Sequence, residues 1–211
     1  MGIEPMGLRE SKKQETRQLI SDQATRLFIE NGFEATTIAE IAVAARVAKK
    51  TVTNYFARKE DLAFDHREEF VEGLARTVSG RAEGESALVA LRREFLDGVE
   101  RHDPVIGFSG EVFARMIADS PTLLARLREM HDQREAALAE LLATETRAAP
   151  DDITPRAAAA QLGGVHRVLF QQILELTLDG WSNQRIAETV TVSAQRGFDL
   201  LTGSLADYAV K

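Results

Sequence analysis

The residues with the clearest binding chemistry lie in one short stretch, between residues 49 and 59. Lysine and threonine side chains can bind the phosphates of DNA, and lysine, threonine and asparagine can also form hydrogen bonds with base edges. On a short helix Val52 and Phe56 would point inward. The residues that would point outward are Lys49, Lys50, Thr51, Thr53 and Asn54. This pattern predicts a helix that presents polar groups to a nucleic acid.

Other kinds of site chemistry have little support in the sequence. The four histidines, His66, His102, His131 and His166, lie 29 or more residues apart, which gives no local metal-ligand spacing. The absence of cysteine removes thiol nucleophiles, thiolate metal sites and disulfides. No G-x-S-x-G, Walker or G-x-G-x-x-G motif is present. We therefore expect no catalytic residues, no cofactor and no metal, and a helical enzyme is a disfavoured interpretation.

The helix that carries the polar residues must be positioned by a second short helix before it. Thr37 lies three residues before Glu40, which is the spacing of a capping box at a helix start. Ile38 and Ile41 then begin an apolar stripe. A break near Arg46 separates the two helices. Two short helices joined by a tight turn form a helix-turn-helix, whose second helix enters a major groove of DNA.

Residues 36–61 resemble the DNA-binding motif of the TetR family of transcriptional regulators. The matching residues are Gly32, Phe33, Thr36, Thr37, Ile38, Ile41, Ala42, Val47, Lys49, Thr51, Tyr55, Phe56, Lys59, Glu60, Asp61 and Leu62. The resemblance implies an all-α fold, with an N-terminal three-helix DNA-binding unit and a six-helix body for ligand binding and dimerisation. It also implies a ligand-responsive repressor that binds a palindromic operator in double-stranded DNA as a homodimer.

The resemblance assigns the residues of the motif to two roles. Residues expected to hold phosphates are Thr37, Thr51, Tyr55 and Lys59. Residues expected to face the bases or the groove walls are Lys49, Lys50, Thr53 and Asn54. The first group would position the protein, and the second group would read the sequence.

Two residues depart from the family pattern in the turn. Arg46 stands where the family usually has glycine, and a non-glycine residue at positive φ costs about 1 kcal/mol. Ala48 stands where the family usually has a capping serine, so a cap of about 1 kcal/mol is missing. These departures leave open a second interpretation, a helical protein-interaction module that kept the motif but lost DNA binding.

The charge distribution supports contact between the N-terminal part and DNA. The whole chain has 211 residues and a net charge of −7, which alone argues against a nucleic-acid binder. Residues 1–60, however, carry ten basic and eight acidic residues, and residues 61–211 carry sixteen and twenty-five. The basic charge is therefore local. No apolar run is long enough to span a membrane and the N-terminus is not a signal peptide, so we expect a cytoplasmic protein.

The pattern predicts three segments: a flexible arm at 1–9, the DNA-binding domain at 10–72 and the C-terminal domain at 73–211. Ser11 is expected to cap the first helix, and a longer helix is expected from Asp61 to Ser79. Ser120 followed by Pro121 predicts a helix start in the body. The last two helices are expected to begin at Thr154 and at Ser182.

The C-terminal domain is expected to bind a small, largely apolar effector and to form the dimer. The candidate pocket residues are Phe95, Phe113, Met116, Met130, His166 and Phe170. The last two helices carry small residues that allow close approach: Ala157 to Ala160, Gly163, Gly164, Ala187, Ala194 and Gly197. They also carry apolar residues that would supply the dimer interface: Val168, Ile186, Val190, Phe198 and Leu201. Packing of these faces within one subunit is the alternative.

Overall fold

The computed structural model describes residues 8–211, with side chains from residue 11 onward. This part of the chain contains nine α-helices. They are α1 (Leu8–Asn31), α2 (Ile38–Ala44), α3 (Lys49–Tyr55), α4 (Arg67–Ser79), α5 (Ala87–Glu100), α6 (Glu111–Ala118), α7 (Pro121–Thr146), α8 (Thr154–Leu178) and α9 (Asn183–Leu205). The expected all-α fold, with three N-terminal helices and six more, is confirmed. No helix among the described residues is long and apolar enough to cross a membrane.

Two helix starts differ from the sequence-based expectation. Helix α1 begins at Leu8 rather than near Ser11, and the expected arm lies mostly in residues 1–7, outside the described residues. The helix expected from Asp61 begins only at Arg67. A separate 3-10 helix, Lys59–Leu62, precedes it, and the Asp61 carboxylate accepts a hydrogen bond from the Arg58 N–H at 3.2 Å. This side-chain cap stabilises the short helix as an element of its own.

The chain divides into two compact units, and residues 116–124 belong to the N-terminal one. Among the described residues, the first unit contains 8–65 and 116–124, and the second contains 66–115 and 125–211. The core of the first unit contains fully buried apolar side chains from α1, α2, α3 and the 3-10 helix. These are Ile20, Phe28, Ile41, Val52 and Leu62. They orient α3 by burying its Val52 side.

The core of the second unit corrects the expectation for the last two helices. Ile186, Val190, Ala194 and Phe198 of α9 are all 0% exposed and belong to the main apolar cluster of the subunit. The Phe198 ring lies 6.2 Å from the ring of Phe95 in α5. These residues pack within one subunit and cannot supply a dimer interface. The sequence predicts that this apolar face of α9 is covered, but it does not indicate whether the subunit itself or a partner covers it.

Helix α7 carries a buried histidine that is expected to make the stability of the protein depend on pH. The His131 ring packs nearly perpendicular to the rings of Phe70 and Phe170, with centre-to-centre distances of 5.0 and 5.4 Å. Burial, with the charges of Arg134 and Arg167, lowers the pKa of His131 from 6.5 to about 4. Between these two pH values the unfolded chain binds more protons than the folded chain, so stability falls as the pH falls.

We expect His131 alone to remove about 2 kcal/mol of the free energy of unfolding when the pH is lowered from 8 to 5. Urea unfolding of the wild type and of His131→Phe across this range measures the effect, and the variant is expected to lose about 2 kcal/mol less. His66→Phe is the control, because His66 is exposed. Parallel pH curves for the wild type and His131→Phe would contradict the assignment.

Candidate nucleic-acid interface and ligand cavity

The start of α2 is held by the capping box that the sequence predicts. The Thr37 hydroxyl accepts from the Glu40 N–H at 3.2 Å and donates to Glu40 Oε2 at 2.8 Å. The Thr37 N–H also donates to Glu40 Oε2 at 2.8 Å. These bonds, the backbone bond first, hold the pKa of Glu40 below its ordinary value. The Thr37 hydroxyl therefore both donates and accepts a hydrogen bond within the helix start.

The turn between α2 and α3 has the two weaknesses expected from the sequence. Arg46 has a φ of +54°, so the position does need the left-handed conformation that glycine adopts without cost. Ala48 occupies the N-cap position of α3 and makes no side-chain cap. The turn nevertheless closes, because the Val47 N–H donates to the Ala42 carbonyl at 2.9 Å.

Replacing Arg46 with glycine is expected to raise the free energy of unfolding by about 1 kcal/mol, because the left-handed conformation no longer strains a side chain. Chemical denaturation measures this change. Ala45→Gly is the matched control, since Ala45 has a helical φ of −80° and its replacement is expected to destabilise. A loss of stability in Arg46→Gly would show that the arginine side chain stabilises the turn by more than the strain costs.

The surface of α3 separates into an exposed face and a flank. At about 100° per residue, Lys49, Thr53, Lys50 and Asn54 span an arc of about 140°. All four are exposed, whereas Thr51 and Tyr55 are half-buried and lie outside the arc, about 60° and 100° beyond Asn54. The arrangement brings the four expected base-facing residues onto one face and separates them from two of the expected phosphate-binding residues. The chemistry of this face suits contact with DNA, since it presents two ammonium groups, a hydroxyl and an amide.

Arg17 of α1 fixes the end of α3, a role that the sequence pattern does not indicate. Its Nη1 donates to the Tyr55 carbonyl at 3.3 Å, and its guanidinium lies 4.5 Å from the centre of the Phe56 ring. It thereby satisfies one of the carbonyls that a helix end leaves without a partner. Its distance of 38 residues from Tyr55 in the chain explains why no local pattern revealed it.

Lys59 is expected to hold a phosphate. In the structure its ammonium group forms hydrogen bonds with backbone carbonyls of the segment between α1 and α2. Its Nζ donates to the carbonyls of Phe33 at 2.7 Å and Thr36 at 3.0 Å, with a longer contact to Glu34 at 3.4 Å. The ammonium also lies 4.1 Å from the centre of the Phe33 ring. Three donors are available on an ammonium. The contacts connect the 3-10 helix to the start of α2.

The same segment is connected to residues 116–124 of the N-terminal unit. The Ser120 hydroxyl donates to the Glu34 carboxylate at 2.6 Å and accepts from the Leu123 N–H at 3.1 Å. Hydrogen bonds from Ser120 and then Thr122 lower the pKa of Glu34. Ser120 thus caps α7, as the sequence predicts, and also holds the corner before α2.

A cavity of about 100 Å³ lies within the second unit, among α4, α5, α7, α8 and the 3-10 helix Pro104–Ile106. Of the six expected pocket residues, it brings together Phe95 and His166. Phe170 instead contacts Phe70 and His131, and Met130 is buried. Phe113 and Met116 do not line the cavity.

Arg134 is a charged residue of the cavity lining that no sequence pattern indicates. Its side chain is 5% exposed, and its guanidinium lies 4.6 Å from the centre of the Phe70 ring. Burial lowers the pKa of Arg134 to about 10, although the Asp103 carboxylate acts in the opposite direction. Arg134 is still charged at neutral pH. Burial, with the charges of Arg134 and His131, holds the pKa of His166 well below 6.5, so His166 is neutral there.

Two family models match the chain in the regions of these two sites. A model described as bacterial regulatory proteins of the tetR family matches residues 20–65, and a model described as the MftR C-terminal domain matches residues 85–180. The regulator TcmR of Streptomyces glaucescens is 30% identical over 172 residues, which cover 79% of this chain and 76% of TcmR. The chain belongs to the TetR family. It is therefore a DNA-binding transcriptional regulator, and its relatives are regulators rather than enzymes.

Solved structures of other regulatory proteins have the same fold. A putative TetR-family regulator from Syntrophomonas wolfei aligns with a TM-score of 0.58 at 18% identity, covering 92% of this chain and 99% of that one. NalD of Pseudomonas aeruginosa, described as the secondary repressor of the MexAB-OprM multidrug efflux pump, aligns with a TM-score of 0.54 at 24% identity. That alignment covers 87% of this chain and 97% of NalD. At these identities the likeness concerns the fold alone.

Proposed function

We propose that this TetR-family protein is a cytoplasmic repressor that binds a palindromic operator as a homodimer and leaves it when a small effector binds. The observation that carries the proposal is the exposed face of α3, where Lys49, Lys50, Thr53 and Asn54 share one arc. Membership of the family supports DNA binding. Repression rather than activation is supported by the transcriptional repressor DhaR of Mycobacterium sp. (strain GP1), which is 33% identical over 70 residues, 33% of this chain and 35% of DhaR.

The proposed dimer uses α8 and α9, but through residues that the subunit does not bury. Val168 of α8 is 64% exposed, and Val192 and Leu200 of α9 are 46% and 84% exposed. Ala157 and Ala160 of α8 are also exposed and are small enough for close helix packing. A second copy of the chain would cover these apolar side chains. Two recognition helices would then face half-sites about one DNA turn apart, roughly 34 Å.

The proposed effector site is the cavity lined by Phe95 and His166. Gly73, Leu74 and Thr77 of α4 line the cavity, and α4 is the first helix after the DNA-binding unit in the chain. An effector would contact α4 directly. We propose that it shifts α4 and so changes the separation of the two recognition helices, since a ligand moves an equilibrium only through contacts that differ between the two states.

Selection of bound DNA from a random pool tests the proposal and yields the operator. A selected palindrome with half-sites about one turn apart is the expected result. The alternative, an interaction module that lost DNA binding, is motivated by the strained Arg46 and the uncapped start of α3 at Ala48. Failure to enrich any sequence at low salt, with a folded and dimeric protein, would favour that alternative.

Substitutions at two neighbouring positions of α3 distinguish phosphate contact from base reading. Tyr55→Phe removes a phenolic hydroxyl expected to touch a phosphate, so we expect a uniform loss of about 1 kcal/mol on all sequences. Asn54→Ala removes an amide that can pair with adenine, so we expect a loss of discrimination of about 1–3 kcal/mol at one position of each half-site.

Both variants are measured on the selected operator and on all its single-base variants. Thr53→Ala is the companion control, because Thr53 is the rival for the base-reading role and its hydroxyl already donates to the Lys50 carbonyl at 3.1 Å. A changed base preference in Tyr55→Phe, with unchanged preference in Asn54→Ala, would mean that α3 lies in the groove with a different rotation.

A further inference from the structure

The cavity of the second unit contains a buried cation that makes no close ion pair, although the Asp103 carboxylate of the same cavity attracts it. Arg134 makes no ion pair within 4.0 Å among the described residues, and its Nε atom is buried without a hydrogen-bond partner. Its contact with the Phe70 ring supplies some attraction but no acceptor oxygen. A buried charge is normally paired and hydrogen-bonded, because desolvation is costly without compensation.

The two acidic residues that line the cavity are engaged elsewhere. The Glu94 carboxylate accepts from Arg101 at 3.1 Å. The Asp103 carboxylate accepts from the Val105 N–H at 2.8 Å and lies 3.7 Å from Arg101. Both acids are partly exposed, whereas Arg134 is buried. The exposed Arg101 thus interacts with both carboxylates. The buried guanidinium of Arg134 can therefore bind a different partner.

A second polar group of the cavity also lacks a partner. Both ring nitrogens of His166 are buried and make no hydrogen bond. The His166 ring packs nearly perpendicular to the rings of Phe95 and Phe198, with centre-to-centre distances of 5.3 and 5.4 Å. Aromatic packing therefore holds the ring but gives neither nitrogen a hydrogen-bond partner. A neutral imidazole carries one N–H donor. Arg134 and His166 together therefore offer donors, and the two lining carboxylates, Glu94 and Asp103, make no hydrogen bond to either of them.

We propose that this cavity binds a small monocarboxylic acid, whose carboxylate accepts hydrogen bonds from Arg134 and His166 and whose short apolar tail lies against Leu74, Leu91 and Ile106. The proposal rests on the proposed function, since it names the chemical class of the effector. It also changes the expectation of a largely apolar effector by adding one required negative charge. A planar guanidinium matches a carboxylate through two parallel hydrogen bonds, which makes this class the best fit.

The size of the cavity limits the tail. An apolar cavity of about 150 Å³ holds benzene. The cavity here measures about 100 Å³, so it is matched to acids with a short aliphatic chain. Butyrate and isobutyrate are suitable probes, and butyramide is the uncharged counterpart of butyrate with the same shape.

Calorimetric titration of the full-length protein with these three probes, at fixed ionic strength with sodium chloride, tests the proposal. We expect the acids to bind at least about tenfold more tightly than butyramide, because a hydrogen bond to a charged group is stronger than one to a neutral group. Arg134→Met is expected to weaken binding of the acids by about 10- to 100-fold and to leave butyramide unchanged. Arg128→Met, at an exposed position of the same helix, is the matched control and is expected to bind like the wild type.

Replacement of a buried charge by methionine is compatible with folding, and circular dichroism of Arg134→Met verifies it. Arg134→Lys keeps the charge but loses the two parallel hydrogen bonds, so it is expected to bind the acids with intermediate affinity. Equal binding of acid and amide, no binding of either acid up to about 10 mM, or full acid binding in Arg134→Met would overturn the proposal.

The failure of this inference can be told apart from a failure of the proposed function. Calorimetry needs no DNA, so it decides the acid site even if no operator is found. Acid binding that depends on Arg134 but does not release a selected operator would uphold the site and reject its role as the effector site. Release of the operator by uncharged compounds alone would support the proposal of a ligand-responsive repressor. It would overturn the proposal that the effector is a carboxylic acid.

Discussion

Phe198→Ala is expected to lower the free energy of unfolding by about 3–5 kcal/mol, because it removes a fully buried aromatic side chain and leaves a cavity. Phe198 is 0% exposed and packs against Phe95 and His166 within one subunit. A residue of the dimer interface would behave differently, since its loss would mainly weaken association. The variant therefore tests whether this face of α9 belongs to the subunit core.

Leu200→Ala is the matched control for Phe198→Ala. It lies two residues away on the same helix, but it is 84% exposed. We expect it to raise the dimer dissociation constant and to change the unfolding of the subunit by no more than about 0.5 kcal/mol. Sedimentation at several concentrations measures association, and urea unfolding at one fixed concentration measures stability. If Phe198→Ala weakens association while its unfolding stays unchanged, our correction of the α9 face is wrong.

Local patterns in the sequence predicted the helix-turn-helix well. The Thr37 and Glu40 capping box, the left-handed position of Arg46 and the missing cap at Ala48 all appear in the structure. Each depends on residues within a few positions of one another, where the backbone geometry of a helix end leaves few alternatives. The start of α7 at Pro121, capped by Ser120, follows from the same kind of local rule.

Long-range relations could not be predicted in the same way. Arg134 lies in a long helix with many charged residues, and nothing in its sequence neighbourhood distinguishes it from an exposed arginine. Its burial depends on α4, α5 and α8, which come from distant parts of the chain. The apolar residues of α9 around Phe198 likewise predict a dimer interface from the sequence alone, whereas the structure places Phe198 in the subunit core. A stripe predicts that a face is covered, but only the packing tells whether the subunit or a partner covers it.

Lys59 is the residue whose expected role and observed contacts differ most within the DNA-binding motif. The sequence pattern, through the family resemblance, predicts a phosphate contact. In the structure its ammonium donates to the carbonyls of Phe33 and Thr36, 26 and 23 residues earlier in the chain. No local spacing links these groups. We propose that the main role of Lys59 is structural: its hydrogen bonds stabilise the segment between α1 and α2, and so position the helix-turn-helix.

Lys59→Met is expected to lower the free energy of unfolding by about 3 kcal/mol, because it keeps the aliphatic stem but removes two short charged hydrogen bonds to carbonyls. Lys50→Met, at an exposed position of α3, is the matched control and is expected to leave stability within about 0.5 kcal/mol. Urea unfolding without DNA measures both variants, and their operator affinity is then measured at several salt concentrations. A phosphate contact would instead leave unfolding unchanged in Lys59→Met and reduce the salt slope of operator binding by about 2 for a dimer. That outcome would show that the ammonium group leaves the carbonyls when DNA binds. It would also show that its hydrogen bonds to them contribute little to the stability of the fold.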